Sequence, residues 1–222
     1  MVKIKICGIT RIDDALAALD HGVCILGFNF YTKSPRYIPW EIYLKLRHHL
    51  ENYDHSKIIY AGVFVNPKDS EMNQAITELG LDYIQLHGDE PPEWLKKFAN
   101  SGVHIYKAIR PQSQTEAISK GFRYATKSSP ALLVDAHHVT LYGGTGMTAN
   151  WHISRVLAEK YPILLAGGLN PQNVSEAIHQ VLPWGVDTAS GVELQPGIKD
   201  HQKIKEFVTA VQQVSQEIHD EK

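Results

Sequence analysis

The sequence predicts an α/β fold, a single (β/α)8 TIM barrel, and two observations favour it. Short apolar runs alternate with longer amphipathic segments, and eight strand-then-helix units follow one another along the chain. The 222 residues also fall within the usual size of such a barrel. An open, doubly wound sheet is the alternative for alternating units, but no Gly-x-Gly-x-x-Gly fingerprint follows the first predicted strand.

The predicted strands are short apolar runs bounded by turn residues. They are Lys3–Gly8, Cys24–Phe30, Lys57–Val65, Asp82–His87, His104–Ile109, Ala131–Ala136, Pro162–Ala166 and Gly185–Gly191. A helix-length segment separates each strand from the next, which is the connection that parallel strands require.

The segments that follow the strands carry the apolar spacing and end signals of helices. They are Arg11–Asp20, Pro39–Leu50, Asp69–Leu79, Pro91–Ala99, Gln112–Phe122, Ala149–Lys160, Pro171–Leu182 and His201–Ile218. Thr10 is predicted to cap the first helix and Asn150 the sixth. Gln112–Phe122 has the weakest helical pattern of the eight.

Composition indicates a globular protein without a charged surface for nucleic acid or membranes. No linker divides the chain, so residues 1–222 are predicted to form one domain, with a frayed tail at 218–222. The net charge of −2 gives no electrostatic footprint for nucleic acid or an anionic membrane. No apolar run is long enough to span a membrane, and no signal peptide is evident. We therefore expect a cytoplasmic protein, and a homodimer remains open.

The cysteines and histidines do not predict a metal site. A disulfide between Cys7 and Cys24 is not expected in the cytoplasm, and no Cys-x-x-Cys pair suggests zinc. The pairs His48-His49 and His137-His138 are sequence neighbours, which do not face the same way. Asp135-Ala136-His137 has a ligand-like spacing, but no second such cluster stands at another strand end.

In such a barrel the functional residues lie at the C-terminal ends of the strands. The residues at those predicted ends are Cys7, Asn29, Asn66, His87, Arg110, Asp135, Gly167-Gly168 and Ser190-Gly191. Cys7 is either a buried structural thiol or a thiol that takes part in chemistry on this rim. Asp135 ends an apolar run, where burial would raise its pKa and suit it to general acid catalysis.

Three glycine-rich elements follow the last three strands and predict a phosphate site on the rim. They are Gly143-Gly144-Thr145-Gly146, Gly167-Gly168-Leu169-Asn170 and Ser190-Gly191-Val192-Glu193. Glycines let backbone N–H groups approach an anion, although any one of these elements alone would indicate only a tight turn.

Two charged residues remain ambiguous from the sequence. Arg36, in the loop after the second strand, is either a solvated cation or a planar donor for a substrate carboxylate. Asp187, inside the eighth strand, is either a satisfied interior group or a contact to substrate hydroxyls.

Taken together, these motifs resemble those of the phosphoribosylanthranilate isomerase family over nearly the full chain. The matching stretches are Lys5-Ile6-Cys7-Gly8-Ile9-Thr10, Gly27-Phe28-Asn29-Phe30-Tyr31, Ser34-Pro35-Arg36-Tyr37-Ile38, Gly62-Val63-Phe64-Val65-Asn66, Ile84-Gln85-Leu86-His87-Gly88, Leu133-Val134-Asp135, Gly143-Gly144-Thr145-Gly146, Ala166-Gly167-Gly168-Leu169-Asn170-Pro171, Val186-Asp187, Ser190-Gly191-Val192-Glu193, Pro196-Gly197 and Lys199-Asp200. Each stretch belongs to a predicted strand end or the loop after it, so the ordered set is specific.

The resemblance implies a cofactor-free Amadori rearrangement of a phosphosugar substrate, phosphoribosylanthranilate. It implies Cys7 as the general base, Asp135 as the general acid and Arg36 as the partner of the substrate carboxylate. We also expect His87 and Asp187 to contact the substrate. The residues expected at the phosphate are Gly144, Gly146, Gly167, Gly168, Ser190 and Gly191.

The chain departs from the family pattern after the sixth strand. Met147 and Asn150 stand where lysine and aspartate are commoner, which would weaken phosphate binding modestly if that lysine contacts the phosphate. The alternatives are another phosphosugar isomerase or epimerase, or a non-catalytic phosphosugar-binding module. Retention of Cys7, Asp135 and Arg36 argues against the binding module, because phosphate binding alone needs none of them.

Overall fold

The computed structural model describes residues 1–51, 58–136 and 151–220. In this part of the chain, eight parallel strands close into a barrel in which each strand pairs with the next and the last pairs with the first. The strands are β1 Lys3–Cys7, β2 Ile25–Asn29, β3 Ile59–Phe64, β4 Tyr83–Leu86, β5 His104–Ile109, β6 Leu132–Asp135, β7 Ile163–Ala166 and β8 Gly185–Thr188. The closed barrel confirms the predicted fold class and excludes the open, doubly wound sheet.

One helix follows each strand. The helices are α1 Ile12–Asp20, α2 Trp40–Glu51, α3 Asp69–Glu78, α4 Glu93–Lys97, α5 Gln114–Tyr124, α6 Trp151–Ala158, α7 Val174–Val181 and α8 His201–Asp220. No helix in the described ranges is long and apolar enough to cross a membrane. The predicted cap Asn150 lies outside the described residues. α8 continues to Asp220, through three residues of the segment 218–222 that is predicted to fray.

The N-terminal hydrogen bonds of two helices differ from the prediction. Thr10 does not cap α1, because its hydroxyl donates instead to the carbonyl of Gly197 at 2.5 Å. α5 begins at Gln114 rather than Gln112, because the Ser113 hydroxyl accepts a hydrogen bond from the Glu116 N–H at 3.2 Å. Ser113 is therefore the N-cap of α5.

The eighth strand is shorter than predicted, and a small hairpin follows it. β8 ends at Thr188, whose hydroxyl donates to the carbonyl of Leu169 at 2.6 Å. A single 3-10 turn, Ser190–Val192, then leads into the antiparallel strands β9 Glu193–Gln195 and β10 Ile198–Lys199. This hairpin returns the chain to the first βα loop, where Thr10 contacts it.

The barrel has a large apolar core between its strands and helices and a partly polar interior. Successive residues of a strand point to opposite faces, so alternate side chains enter the barrel. Four polar residues buried there are Lys5, Gln85, Tyr106 and Asp187. Polar groups buried inside a barrel need hydrogen-bonding or ionic partners. The contacts among these four residues lie beneath the site described next.

Candidate active site

The C-terminal ends of the parallel strands meet on one rim, and the predicted site residues lie on this rim or just below it. Those described by the structure are Cys7, Arg36, His87, Asp135, Gly167, Gly168, Asp187, Ser190 and Gly191. Cys7 is the last residue of β1, and Asp135 is the last residue of β6. Gly144 and Gly146 lie outside the described residues.

The Cys7 thiol is buried at the end of β1, with 9% of the residue exposed. Gly27 is its partner in β2, and a Cβ atom at position 27 would lie 2.8 Å from Cys7 Sγ. Glycine at this position therefore makes room for the sulfur. Burial raises the pKa of the Cys7 thiol, while the ammonium groups of Lys5 and Lys199 oppose that rise.

Lys5 and Asp187 form a buried ion pair below the thiol. They are register partners in β1 and β8, and Lys5 Nζ lies 2.7 Å from Asp187 Oδ1. Burial is the largest single influence and would lower the pKa of Lys5, but attraction to Asp187, Cys7 and Tyr106 and the hydrogen bond to Asp187 together raise it. This contact agrees with the interpretation of Asp187 as a satisfied interior group, and its contact with a substrate stays a prediction.

Arg36 is held by a carboxylate and is not the solvated loop cation considered above. Arg36 Nε donates to Glu193 Oε1 at 2.8 Å, and Arg36 Nη2 donates to Glu193 Oε2 at 2.6 Å. Only 22% of the arginine side chain is exposed. The bidentate contact fixes the plane of the guanidinium.

A chain of polar contacts runs from the barrel interior to Asp135. The Tyr106 hydroxyl lies 3.1 Å from Gln85 Oε1, and the Gln85 amide lies 2.7 Å from His87 Nδ1. Arg110 bridges the other nitrogen of His87 to Asp135, with Arg110 Nε 2.8 Å from Asp135 Oδ2. The prediction that Asp135 lies in apolar surroundings is therefore wrong, because the Arg110 guanidinium contacts its carboxylate.

His87 is a neutral hydrogen-bonding group in this chain of contacts. Burial and the charge of Arg110 lower its pKa to about 4. Arg110 can only donate, so His87 Nε2 accepts and His87 Nδ1 carries the proton. Gln85 then presents its carbonyl oxygen to His87 and its NH2 group to Tyr106, so the oxygen and nitrogen of this amide exchange the positions given above.

The two glycine loops described by the structure pack against each other. Gly167 and Gly168 have positive φ angles of 104° and 72°, and the side-chain amide of Asn173 donates to the carbonyl of Gly168 at 3.1 Å. A Cβ atom at position 191 would lie 1.9 Å from the carbonyl oxygen of Leu169. Glycine at 191 is thus required where the loop after β8 crosses the loop after β7.

Sequence reasoning gave no role to several charged residues around this site. Lys5, Glu193 and Lys199 all contact or neighbour predicted site residues. The sequence could have indicated Lys5, because a charged residue two positions before Cys7 in an apolar strand points to the same face of the sheet as the thiol. Among the described residues, no three His, Cys, Asp or Glu side chains group as a metal site would.

Comparison with known proteins identifies the family. Residues 4–210 match the family model described as N-(5'phosphoribosyl)anthranilate (PRA) isomerase. The chain is 42% identical over 211 residues to the N-(5'-phosphoribosyl)anthranilate isomerase of Syntrophus aciditrophicus, covering 95% of this chain and 87% of that protein.

Solved structures agree with this match. The phosphoribosyl anthranilate isomerase of Thermotoga maritima superposes with a TM-score of 0.83 and 34% identity, covering 96% of this chain and all of that one. Another isomerase structure, in complex with reduced 1-(o-carboxyphenylamino)-1-deoxyribulose 5-phosphate, gives a TM-score of 0.81 at 32% identity and covers 96% of this chain. The chain therefore belongs to the phosphoribosylanthranilate isomerase family.

Proposed function

We propose that this protein converts N-(5'-phosphoribosyl)anthranilate to 1-(2-carboxyphenylamino)-1-deoxyribulose 5-phosphate, a step of tryptophan biosynthesis. The observation that carries this proposal is the presence of a thiol at the end of β1 and a carboxyl at the end of β6, on one rim. The resemblance to the family implies the same roles, with Cys7 as base and Asp135 as acid. Every step of the rearrangement is a proton transfer or an accompanying bond shift, and these two groups suffice for it.

Asp135 begins the reaction by protonating the ring oxygen of the ribose. The bond between that oxygen and C1 breaks as the anilino nitrogen donates its lone pair, which yields a protonated imine. Arg110 Nε lies 2.8 Å from Asp135 Oδ2 and must move away before the carboxyl holds a proton. The arginine side chain is 53% exposed, so it has room to leave.

Cys7 then removes the proton from C2, which neutralises the iminium cation and forms an enolamine. The C2 hydroxyl loses its proton as C1 gains one, and this tautomerisation gives the ketone product. A buried thiol is a poor base until it is ionised. The developing cation of the substrate and the nearby Lys5 and Lys199 favour the thiolate.

Arg36 and the glycine loops hold the two charged ends of the substrate. The pairing with Glu193 uses Nε and one N–H of Nη2, so the end-on pair on Nη1 and Nη2 can bind the anthranilate carboxylate. The phosphate binds at the loops after β7 and β8, through the backbone around Gly168 and Gly191. These two contacts would set the sugar between Cys7 and Asp135.

The direct test is turnover of phosphoribosylanthranilate by the purified protein in the presence of EDTA. We expect the substrate fluorescence to decay enzymatically and the rate to be unchanged by the chelator. Asp135→Asn should lower kcat by roughly 10²–10⁴-fold, since it removes the proton donor. A folded protein with no turnover would contradict the proposal, as would full activity in Asp135→Asn.

A further inference from the structure

Glu193, the last residue of the motif after β8, has contacts that the phosphate proposal does not explain. It begins β9 and is 7% exposed. Both of its carboxylate oxygens accept hydrogen bonds from Arg36, in the side-on bidentate geometry described above. A flexible arginine is thereby restricted to one orientation, because both bonds must form together.

The same carboxylate also binds a buried lysine. Lys199 Nζ lies 2.9 Å from Glu193 Oε1, and Lys199 is 2% exposed. Its ammonium also donates to the carbonyl of Cys7 at 2.6 Å and to the carbonyl of Ala189 at 3.1 Å. These three contacts use all three donors of the ammonium group. Lys199 thus ties Glu193 to the backbone of the residue that carries the thiol.

Arg36 also reaches the end of β1. A Cβ atom at Gly8 would lie 2.6 Å from Arg36 Cδ, so the arginine stem crosses the residue that follows Cys7. Glu193, Arg36 and Lys199 therefore surround the end of β1. We call these three residues the clamp.

The charges of the clamp favour an ionised Glu193. Burial alone would raise the pKa of Glu193, but hydrogen bonds and attraction from Arg36 and Lys199 lower it. Two cations and one anion leave the clamp with one uncompensated positive charge. A substrate carboxylate at Arg36 would neutralise that charge within the site.

We propose that Glu193 is the positioning residue that orients Arg36 for the substrate carboxylate and, through Lys199, holds the end of β1 that carries Cys7. This inference rests on the proposed function and adds a residue that acts through two others. Glu193 does not touch the reacting atoms. A merely structural ion pair would instead affect stability without a specific effect on the anthranilate end of the substrate.

The test measures binding and turnover in Glu193→Gln. The amide keeps the size of the side chain but replaces one acceptor oxygen with an NH2 group, which repels Arg36 or Lys199. We expect KM and the Kd for the reduced product analogue to rise about tenfold, the scale of one lost charge-assisted contact. The inhibition constant of inorganic phosphate should change less than KM, because the side chains of the clamp contact the described loop after β8 only at the carbonyl of Ala189, before Ser190 and Gly191.

Two further variants separate positioning from stability. In an Arg36→Ala background, Glu193→Gln should no longer change KM, since its effect on binding passes through the arginine. Glu193→Asp should recover part of the lost affinity. Glu206→Gln removes an exposed carboxylate from α8 and serves as the control for lost charge.

The outcomes distinguish this inference from the proposed function. An unaltered protein that neither turns over phosphoribosylanthranilate nor binds the analogue would overturn both. Normal wild-type turnover with an unchanged KM in Glu193→Gln would overturn the positioning role alone. Equal increases in KM with and without Arg36, or an equal loss of phosphate inhibition, would also overturn it. If Glu193→Gln does not fold, the same comparisons are made with Glu193→Asp.

Discussion

As the proposed base, Cys7 must meet two requirements that oppose each other. A base must lose its proton, yet burial raises the pKa of this thiol. Two ammonium groups, Lys5 inside the barrel and Lys199 at the carbonyl of Cys7, reduce the cost of the thiolate. The thiol is therefore expected to work as a base mainly once the substrate becomes a cation.

Replacing the Cys7 thiol should remove the base without damaging the fold. In Cys7→Ala we expect kcat to fall by roughly 10²–10⁴-fold, the usual contribution of one general base. Steady-state turnover measures the loss, and thermal unfolding checks the fold. Cys24→Ala makes the same substitution at the other cysteine and should keep normal turnover; comparable losses in both variants would refute the assignment.

The raised pKa of Cys7 also predicts the pH dependence. The thiolate of Cys7 should therefore form only above the ordinary cysteine pKa of about 8.5. The ultraviolet absorbance of the thiolate, titrated from neutral to alkaline pH in the wild type and in Cys7→Ala, measures this. A Cys7 thiolate that is already fully formed at neutral pH would contradict the expectation.

At the scale of elements, the sequence predicted the strands better than the loops between them. β5 was predicted to the residue, because its apolar run has clear turn residues on both sides. The hairpin of β9 and β10 was missed, because two short strands that pair outside the barrel give no periodic signal. The Glu193 contacts come from that hairpin, so its omission also hid the clamp.

The N-cap of α5 offers a test of an element boundary. The Ser113 hydroxyl accepts from the Glu116 N–H, and the Glu116 carboxylate accepts from the Gln112 N–H at 2.6 Å. Ser113→Ala should lower the free energy of unfolding by about 1 kcal/mol, since one helix N–H loses its partner. Urea unfolding measures the loss. Ser119→Ala, an exposed serine inside the same helix, is the control and should be neutral or slightly stabilising.

At the scale of the whole molecule, the barrel closes where its first and last strands meet. Lys5 and Asp187 are paired across this seam, and the Lys3 N–H donates to the Trp184 carbonyl at 3.0 Å. The sequence could predict eight strands but not this pairing, because side chains far apart in the chain meet only after closure. From the sequence alone, Lys5 is therefore a member of a motif, and its pairing with Asp187 is not evident.

Removing one member of this buried pair should lower the free energy of unfolding more than removing both. Lys5→Met leaves the Asp187 carboxylate buried without its cation and should cost roughly 3–5 kcal/mol of unfolding free energy. Adding Asp187→Val should recover most of that loss, since the double variant buries no unpaired charge. Denaturant unfolding of the two variants and the wild type measures the difference. Additive losses would show that the pair is not coupled.

The β9–β10 hairpin also affects when a newly made chain becomes active. Translation delivers Cys7 first and Asp135 later, but Glu193 and Lys199 follow only after all eight barrel strands have been made. A chain that terminates before Glu193 has both proposed proton-transfer groups and lacks the contacts that hold Arg36 and the end of β1. Full affinity for the substrate is thus expected only after the hairpin has been made.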